Sequence, residues 1–218
     1  GKIEVFTSGP KAGTTEVTTT NGSTGGVDTI KIGSGANVVI GGAAGDSITA
    51  EGTAAGARAV VLGDSGKLVL TNAGVLLSAE STDYASGAAD TITLKAGTNA
   101  VIGGAGGDVI KAETGKNTIL GDDGKAEFVA TGPDAGRVKS IESTNSGSGG
   151  KDQITLDDGT NTVIAGADDD TISIGAGTNY VLGDEGKIEV FTSGPKAGTT
   201  ESTTTNGSTG GGDTVQNG

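Results

Sequence analysis

The chain has 218 residues, 43 of them glycine, and only 2% of its residues are aromatic, so it has few large side chains to fill a thick core. Its formal net charge of −13 disfavours nucleic acid as a partner, because phosphates are bound through lysine and arginine. Cysteine and histidine are missing, which excludes disulfides, thiol chemistry and the commonest general base, and no apolar run approaches the roughly 20 residues that membrane insertion needs.

Repeats organise the chain at two long periods. Residues 1–33 recur at 186–218 with five differences, and the pattern Gly-Asp-x-Gly-Lys begins at Gly63, Gly121 and Gly183. This spacing predicts modules of about 62 residues in one continuous array. The predicted modules are 1–65, 66–123, 124–185 and the start of a fourth at 186–218. Because the chain begins and stops inside a repeat, we expect it to be a piece of a longer protein.

Within each module a polar residue recurs every nine positions, alternately aspartate and asparagine, except that the first module has four extra residues after Asp46 and Ala59 in the last asparagine position. The first module has it at Asp28, Asn37 and Asp46, and an apolar side chain such as Ile30 stands two residues later. A polar turn followed by a short strand with a fixed inward residue is typical of stacked parallel strands. We therefore predict an all-β fold, a parallel β-roll or β-solenoid. The predicted inward residues are Ile30, Val39, Ile48, Val61, Ile92, Val101, Ile110, Ile119, Ile154, Val163, Ile172 and Val181.

Two such units make one turn of the predicted coil, which puts aspartate on one edge and asparagine on the other. Between the last asparagine of a module and the next aspartate lie roughly 30 to 35 residues that read as strand, Gly/Pro turn and strand, as at 124–144. Two alternatives stay open for this segment: its strands continue the coil, or they stand off it as a hairpin.

The nine residues GGAGGDVIK at 103–111 resemble the Gly-Gly-x-Gly-x-Asp-x-U-x repeat of the RTX, or haemolysin-type calcium-binding, family. Only this unit matches every defined position, since Ala44 and Asp168 replace the fourth-position glycine elsewhere and Ala165 replaces the first. The resemblance implies a parallel β-roll in which glycine-loop carbonyls and aspartate carboxylates of neighbouring turns share Ca²⁺. It also implies a secreted or bacterial cell-surface protein.

On this resemblance we expect calcium ligands along the aspartate edge. The expected ligands are Asp28 with Asp46, Asp90 with Asp108, Asp152 with Asp170, and the loop glycines Gly104 and Gly106. The alternative is that each aspartate caps its own loop through backbone N–H groups, with no ion. Close stacking of like carboxylates is unfavourable without a cation, which favours calcium. Asparagine carries no charge, so we expect a ladder of side-chain amides on the other edge.

Further carboxylates follow Gly121 and Gly183 in the Gly-Asp-x-Gly-Lys motifs. For these we expect an exposed charged turn in preference to an extra cation site. The residues are Asp122, Asp123, Asp184 and Glu185.

The regular recurrence of carboxylates disfavours a single active site, so we predict no enzyme activity. The leading hypothesis is a structural segment of a long, secreted, calcium-stabilised β-solenoid, the shaft of a giant bacterial adhesin or extracellular filament. Self-association into fibres or bundles is a further hypothesis. Two alternatives remain: a flat face of Thr98, Thr160, Thr178 and their neighbouring asparagines that binds ice or glycan, and a calcium-binding accessory region of a secreted toxin or protease.

Overall fold

The computed structural model describes residues 1–52, 57–145, 149–205 and 210–217. Throughout these ranges the chain is all-β, with strands numbered here in chain order and arranged in three sheets. The predicted all-β fold with parallel strands is confirmed. In the same ranges, no helix is present that is long and apolar enough to cross a lipid bilayer.

The first sheet, here the outer sheet, is parallel and has one face open to solvent. Its strands alternate buried and exposed side chains, as Ile110 and Lys111 do, because only one face packs against the core. The strands are β3 Thr29–Ile32, β5 Ser47–Ala50, β9 Thr91–Leu94, β11 Val109–Ala112, β15 Gln153–Leu156, β17 Thr171–Ile174 and β21 Thr214–Asn217.

The second sheet, here the central sheet, is also parallel but lies between two layers. Its strands end in apolar runs, and successive residues such as Val101 and Ile102 are both buried because both faces are covered. The strands are β4 Ala36–Ile40, β6 Arg58–Leu62, β10 Gly97–Ile102, β12 Gly115–Leu120, β16 Gly159–Gly166 and β18 Gly177–Asp184.

The third sheet, here the hairpin sheet, is antiparallel and is built from the strand-turn-strand segments. Of the two alternatives left open by the sequence, the structure therefore shows the hairpin, which packs as an additional layer on the central sheet. The strands are β1 Lys2–Phe6, β2 Thr14–Thr18, β7 Gly66–Thr71, β8 Leu76–Ser81, β13 Gly124–Phe128, β14 Val138–Ser143, β19 Gly186–Val190 and β20 Thr200–Thr204.

Two thin cores separate the three layers. The first lies between the outer and central sheets and contains all twelve predicted inward residues, of which only Ile30 and Val181 are partly exposed. That prediction is confirmed. The second core lies between the central and hairpin sheets, where Leu62 and Leu120 of the central sheet meet Leu68 and Ile141 of the hairpins.

The path of the chain creates two chemically different edges. From β3 to β18 the chain alternates between the outer and central sheets, with a hairpin inserted after β6 and after β12. Parallel register keeps equivalent residues level, so Ile110 lies beside Ile92 and Ile154. As a result, an aspartate stands directly before every outer strand, and an asparagine is the second or third residue of almost every central strand.

Candidate functional site

The aspartates that precede the outer strands form one continuous row, here the aspartate ladder. The backbone N–H of each residue donates to Oδ1 of the next, with N···O distances from 2.6 to 3.0 Å. The members found in the described ranges are Asp28, Asp46, Asp90, Asp108, Asp152, Asp170 and Asp213. The structure thus brings together each predicted pair, and it also joins the pairs to one another across module boundaries.

The second carboxylate oxygens of this ladder are buried without a partner. Oδ2 of five consecutive members is shielded from solvent and makes no hydrogen bond within the described residues. Asp108 is fully buried, and its neighbours are nearly so. The five residues are Asp46, Asp90, Asp108, Asp152 and Asp170. A buried, unsatisfied carboxylate oxygen is costly, so the ladder as built from protein atoms alone is incomplete.

A glycine makes room for four of these five oxygens at the end of the preceding central strand. A Cβ on Gly103 would lie 2.1 Å from Asp108 Oδ2 and 2.1 Å from the carbonyl oxygen of Gly121. A Cβ on Gly63 would likewise lie 2.0 Å from Asp90 Oδ2. The unpartnered oxygen and a backbone carbonyl oxygen therefore border the same small space. Ala165 holds the corresponding position before Asp170, so the space there is smaller.

Burial also raises the pKa of these carboxyl groups far above the ordinary aspartate value of 3.8. Desolvation, aided by the charge of Asp152, raises the pKa of Asp108 to about 10. It raises the pKa of Asp152 to about 8, and those of Asp90 and Asp170 to about 7. Without a counter-charge, Asp108 and Asp152 therefore favour a bound proton over negative charge at neutral pH.

Gly104 and Gly106, the predicted glycine ligands, lie beside other groups. Gly104 has φ of +113° and lies against the carboxylate of Asp64, while Gly106 has φ of +105° and lies against the backbone at Ala88. The glycine that borders Asp108 Oδ2 is instead Gly103, which was missed. Its sequence signal is its place directly after the apolar run of a central strand, a place that glycine also takes at 41, 63, 121 and 183.

The same loops explain where the repeat departs from its glycine pattern. Ala44 and Asp168 occupy the position of Gly106 in their own loops, and both have left-handed backbones, with φ of +84° and +71°. Residues with a Cβ adopt this conformation at a cost of about 1 kcal/mol or more. The loop conformation is therefore imposed by the stacking, and it is kept even where glycine is not available.

A second row of buried carboxylates lies next to the aspartate ladder. Asp64, which the sequence analysis did not single out, accepts the backbone N–H groups of Ala105 at 2.7 Å and Ala88 at 3.3 Å. Asp122 repeats the arrangement with the N–H groups of Ala167 at 2.5 Å and Gly150 at 3.1 Å. Each carboxylate thus ties a hairpin-bearing loop to the short glycine loop stacked on it.

The expectation of an exposed charged turn is therefore wrong for this row. Asp122, Asp123 and Glu185 are each at most 5% exposed, and Oδ1 of Asp184 is buried without a partner in the described residues. Burial raises the pKa of Asp122 to about 9 and that of Asp64 to about 8. The row is buried because the loops that follow the hairpins cover it, with Gly87 against Asp64 and Gly149 against Asp122.

The asparagine edge carries the predicted ladder of side-chain amides. Each Nδ2 donates to Oδ1 of the next asparagine at 2.9–3.0 Å and to the carbonyl oxygen four residues earlier at 2.9–3.2 Å. The linked residues are Asn99, Asn117, Asn161 and Asn179, whereas Ala59 interrupts the row before Asn37. Within the described residues, no buried side-chain nitrogen or oxygen of this ladder lacks a hydrogen-bond partner.

The threonines beside these asparagines face the opposite way. Asn99 and Asn161 point into the first core and are nearly or fully buried, whereas Thr98, Thr160 and Thr178 are exposed on the other face of the central sheet. A flat array that presents threonine and asparagine together is therefore not formed. The threonines instead line a groove beneath the hairpin turns.

The chemistry of the aspartate ladder suits a hard cation. Ca²⁺ takes six to eight oxygen ligands, mostly carboxylates, backbone carbonyls and water. The described residues contain no cluster of three acidic side chains able to hold a metal by themselves. A cation at the ladder would therefore be held by Oδ2 atoms together with the carbonyl oxygens that border the same spaces, such as that of Gly121.

Comparison with known proteins supplies no relative. No family model, no curated protein and no solved structure matches the chain. The resemblance of residues 103–111 to the RTX repeat consequently stays a prediction from the sequence, and function is argued from the site.

Proposed function

We propose that this chain is a structural segment of a calcium-stabilised β-solenoid, the shaft of a secreted or cell-surface adhesin or filament. The observation that carries the proposal is the row of five buried Oδ2 atoms without partners on the aspartate edge. The opposite edge, built to the same register, has its amide groups satisfied. The chain therefore needs a charged ligand along one side only.

Two ligands could complete the aspartate ladder, namely protons and cations. Protons bind the buried carboxyls even at neutral pH, but this costs stability there, because the same aspartates are ionised in the unfolded chain. Divalent cations between neighbouring strands would replace these protons, neutralise the carboxylates and pair with the free Oδ2 atoms. Asp90 and Asp108 are candidate ligands because Gly63 and Gly103 leave space beside each Oδ2, as Gly121 does beside Asp152.

The arrangement of the strands supports a load-bearing role. The outer sheet stacks seven described strands, which at about 4.8 Å per step gives a length of about 29 Å. Length grows by adding modules, since each contributes one hairpin, two outer strands and two central strands. Recurring carboxylates without a single distinguished cleft at the ladder support a structural rather than a catalytic role.

Calcium dependence would couple folding to secretion. A chain with net charge −13 repels itself at low calcium and gains stability where calcium is abundant, by mass action on the folded state. Outside the cell such a shaft would be stiffest. This is the environment that a surface adhesin or filament meets.

The test is a thermal melt followed by far-UV circular dichroism, with the protein in chelator, in Ca²⁺ and in Mg²⁺ at pH 7.5. We expect Ca²⁺ at 100 times its dissociation constant to stabilise the fold by about 2.7 kcal/mol per site. For a chain of this size the melting temperature then rises by roughly 5 to 11 °C per site. Mg²⁺ should have a much smaller effect, because it demands rigid octahedral geometry.

An equal melting temperature in chelator and in Ca²⁺ would overturn the proposal. The aspartates would then be loop caps that carry protons, and the fold would rest on its two apolar cores and its backbone ladders alone. An equal rise in melting temperature with Ca²⁺ and Mg²⁺ would show that the ions act by general screening of charge and not at a calcium site.

A further inference from the structure

A long groove runs between the central sheet and the turns of the hairpin sheet, here the hairpin groove. Its volume is about 490 Å³, and it crosses strands β6, β10, β12, β16 and β18. Four steps between these strands give it a length of about 19 Å. The turns of two hairpins, β13–β14 at 129–137 and β19–β20 at 191–199, form its roof.

The floor of the groove presents a row of hydroxyl groups with one aromatic ring at its end. Thr98, Thr160 and Thr178 stand level on successive strands, with Lys116 in the same row. These four residues are exposed, and all of them line the groove. Tyr180 lies two residues after Thr178, on the same face of the sheet, and is 37% exposed. The residues level with it on the neighbouring strands are Thr162, Thr118 and Ala100.

The groove is basic in a strongly acidic protein. Of the described residues that line it, Arg58, Lys116 and Arg137 are cationic and Asp134 alone is acidic, and that carboxylate is paired with Arg137. Arg58 lies at one end, where Nη2 donates to the carbonyl oxygen of Gly74 at 2.6 Å. Its Nε is buried without a partner. Lys116 is exposed on the floor and offers its ammonium group to an anion, while Arg58 adds a second positive charge at the end of the groove.

We propose that the hairpin groove binds a linear anionic polysaccharide. Carboxylates on the sugars would pair with Arg58 and Lys116, since guanidinium and ammonium groups form charge-assisted hydrogen bonds with carboxylates. The threonine row would bond sugar hydroxyls, and the exposed ring of Tyr180 would cover an apolar sugar face. The net charge of −13 repels polyanions from the rest of the surface, so binding is confined to the groove.

The shape of the groove favours a sugar chain over an acidic peptide. Extended peptides usually gain affinity by pairing their backbone with an exposed sheet edge. The floor here is the face of a sheet, whose backbone N–H and carbonyl groups already bond neighbouring strands. Side-chain hydroxyls, cations and a ring are what the groove offers.

The test is isothermal titration of the 218-residue chain with a hyaluronan hexasaccharide, a linear chain with alternating carboxylates, and with neutral maltohexaose. All titrations use one fixed calcium concentration, and melting temperatures confirm that each variant is folded. Lys116→Thr, which installs the residue common in its row, should weaken hyaluronan binding about fivefold. Tyr180→Thr should weaken it about threefold.

The matched control is Lys111→Thr, which removes the same charge from an exposed position on the outer sheet. The affinity of Lys111→Thr for hyaluronan should equal that of the unaltered chain. Raised salt should weaken hyaluronan binding by the unaltered chain and by every variant. The proposal is overturned if hyaluronan binds no better than maltohexaose. It is also overturned if Lys111→Thr loses as much affinity as Lys116→Thr, or if an oligoglutamate peptide binds more tightly than hyaluronan.

Discussion

The aspartate and asparagine ladders solve the same stacking problem with different results. Both place one short polar side chain at the same level of every turn, and both bond each residue to the next. Asparagine has two donors and an acceptor, so Asn161 bonds Asn117, Asn179 and the carbonyl oxygen of Asp157. Ionised aspartate only accepts, so one oxygen is left over. An amide ladder is complete in itself, whereas a carboxylate ladder needs a ligand.

The comparison predicts a strong effect of pH in the absence of calcium. The pKa of Asp108 is raised to about 10 and those of Asp90 and Asp170 to about 7 in the fold, against 3.8 ordinarily. Raised carboxyl pKa values give stability that is complete below about pH 4 and is lost as pH rises through 7 to 10. We expect the melting temperature in chelator to fall steadily between pH 5 and pH 9, by more than any single substitution below produces.

Calcium should flatten this pH profile, because an ion held at the ladder keeps the carboxylates charged. Melting curves at each pH with and without Ca²⁺ measure the difference. A calcium-free protein that becomes more stable between pH 5 and pH 9 would contradict the ionisation behaviour assigned to the ladder.

Converting one member of the complete ladder should be the most damaging single change. Asn161→Asp puts a carboxylate at a fully buried position and removes the amide donors to Asn179 and to the carbonyl oxygen of Asp157. We expect a loss of about 3 kcal/mol in the free energy of unfolding at pH 7, measured by urea denaturation. The control, Asn37→Asp, lies at the half-buried start of the row and should lose less than about 1 kcal/mol.

Filling the space beside an unpartnered oxygen should weaken both fold and calcium response. Gly103→Ala brings a methyl group to 2.1 Å from Asp108 Oδ2, so the neighbouring groups must move, at a cost of about 1 to 3 kcal/mol. The stabilisation by Ca²⁺ should shrink as well. The control is Gly33→Ala, because a Cβ there would meet nothing within 4 Å. An equal loss of stability in Gly33→Ala would contradict the role assigned to Gly103.

Replacing an aspartate of the aspartate ladder by asparagine should raise the stability of the protein in chelator but weaken its stabilisation by Ca²⁺. Asp108→Asn retains the acceptor for the N–H of Asp90 and removes the cost of keeping a buried carboxyl protonated at neutral pH. In chelator at pH 7 it should therefore stabilise the fold by about 1 to 2 kcal/mol. With Ca²⁺ it should remove part of the calcium-induced rise in melting temperature. Asp157→Asn, an exposed carboxylate near the other edge, should change neither quantity by more than about 0.5 kcal/mol.

The smallest effect concerns the backbone of the short loops on the aspartate edge. Ala44 has φ of +84° at the position that Gly106 holds in its own loop. Ala44→Gly relieves this strain, partly offset by the greater freedom of glycine in the unfolded chain, and should add about 0.5 to 1 kcal/mol. A loss of stability in urea denaturation would show that the loop does not need a left-handed residue.

The nine-residue period predicted the two parallel sheets but not the third, antiparallel layer. It identified the twelve inward residues and the two edges because stacking repeats the same environment at every turn. The second core was not predicted, although its signal was present. Central strands such as 100–102 are apolar at consecutive positions, which indicates burial on both faces, whereas outer strands such as 91–94 alternate.

The site was predicted in part for a similar reason. Spacing identifies which aspartates share an edge, so the pairs around Asp90 and Asp108 could be named. It does not reveal which oxygen a backbone N–H takes or which glycine leaves the space beside the other oxygen. The role of Gly103 depends on close packing at the end of a strand. The burial of Asp64 depends on its hydrogen bond to the loop at Ala105, 41 residues further along the chain.

The most direct test of the incomplete ladder is the ¹³C resonance of the Asp108 side-chain carboxyl, followed by pH titration with and without Ca²⁺. Without calcium the account predicts a protonated carboxyl at pH 7, because burial raises its pKa to about 10. Saturating Ca²⁺ should shift this resonance to that of a carboxylate at the same pH, while the side-chain amide signals of Asn161 stay in place. A carboxyl that is already ionised at pH 7 and unmoved by calcium would contradict the account.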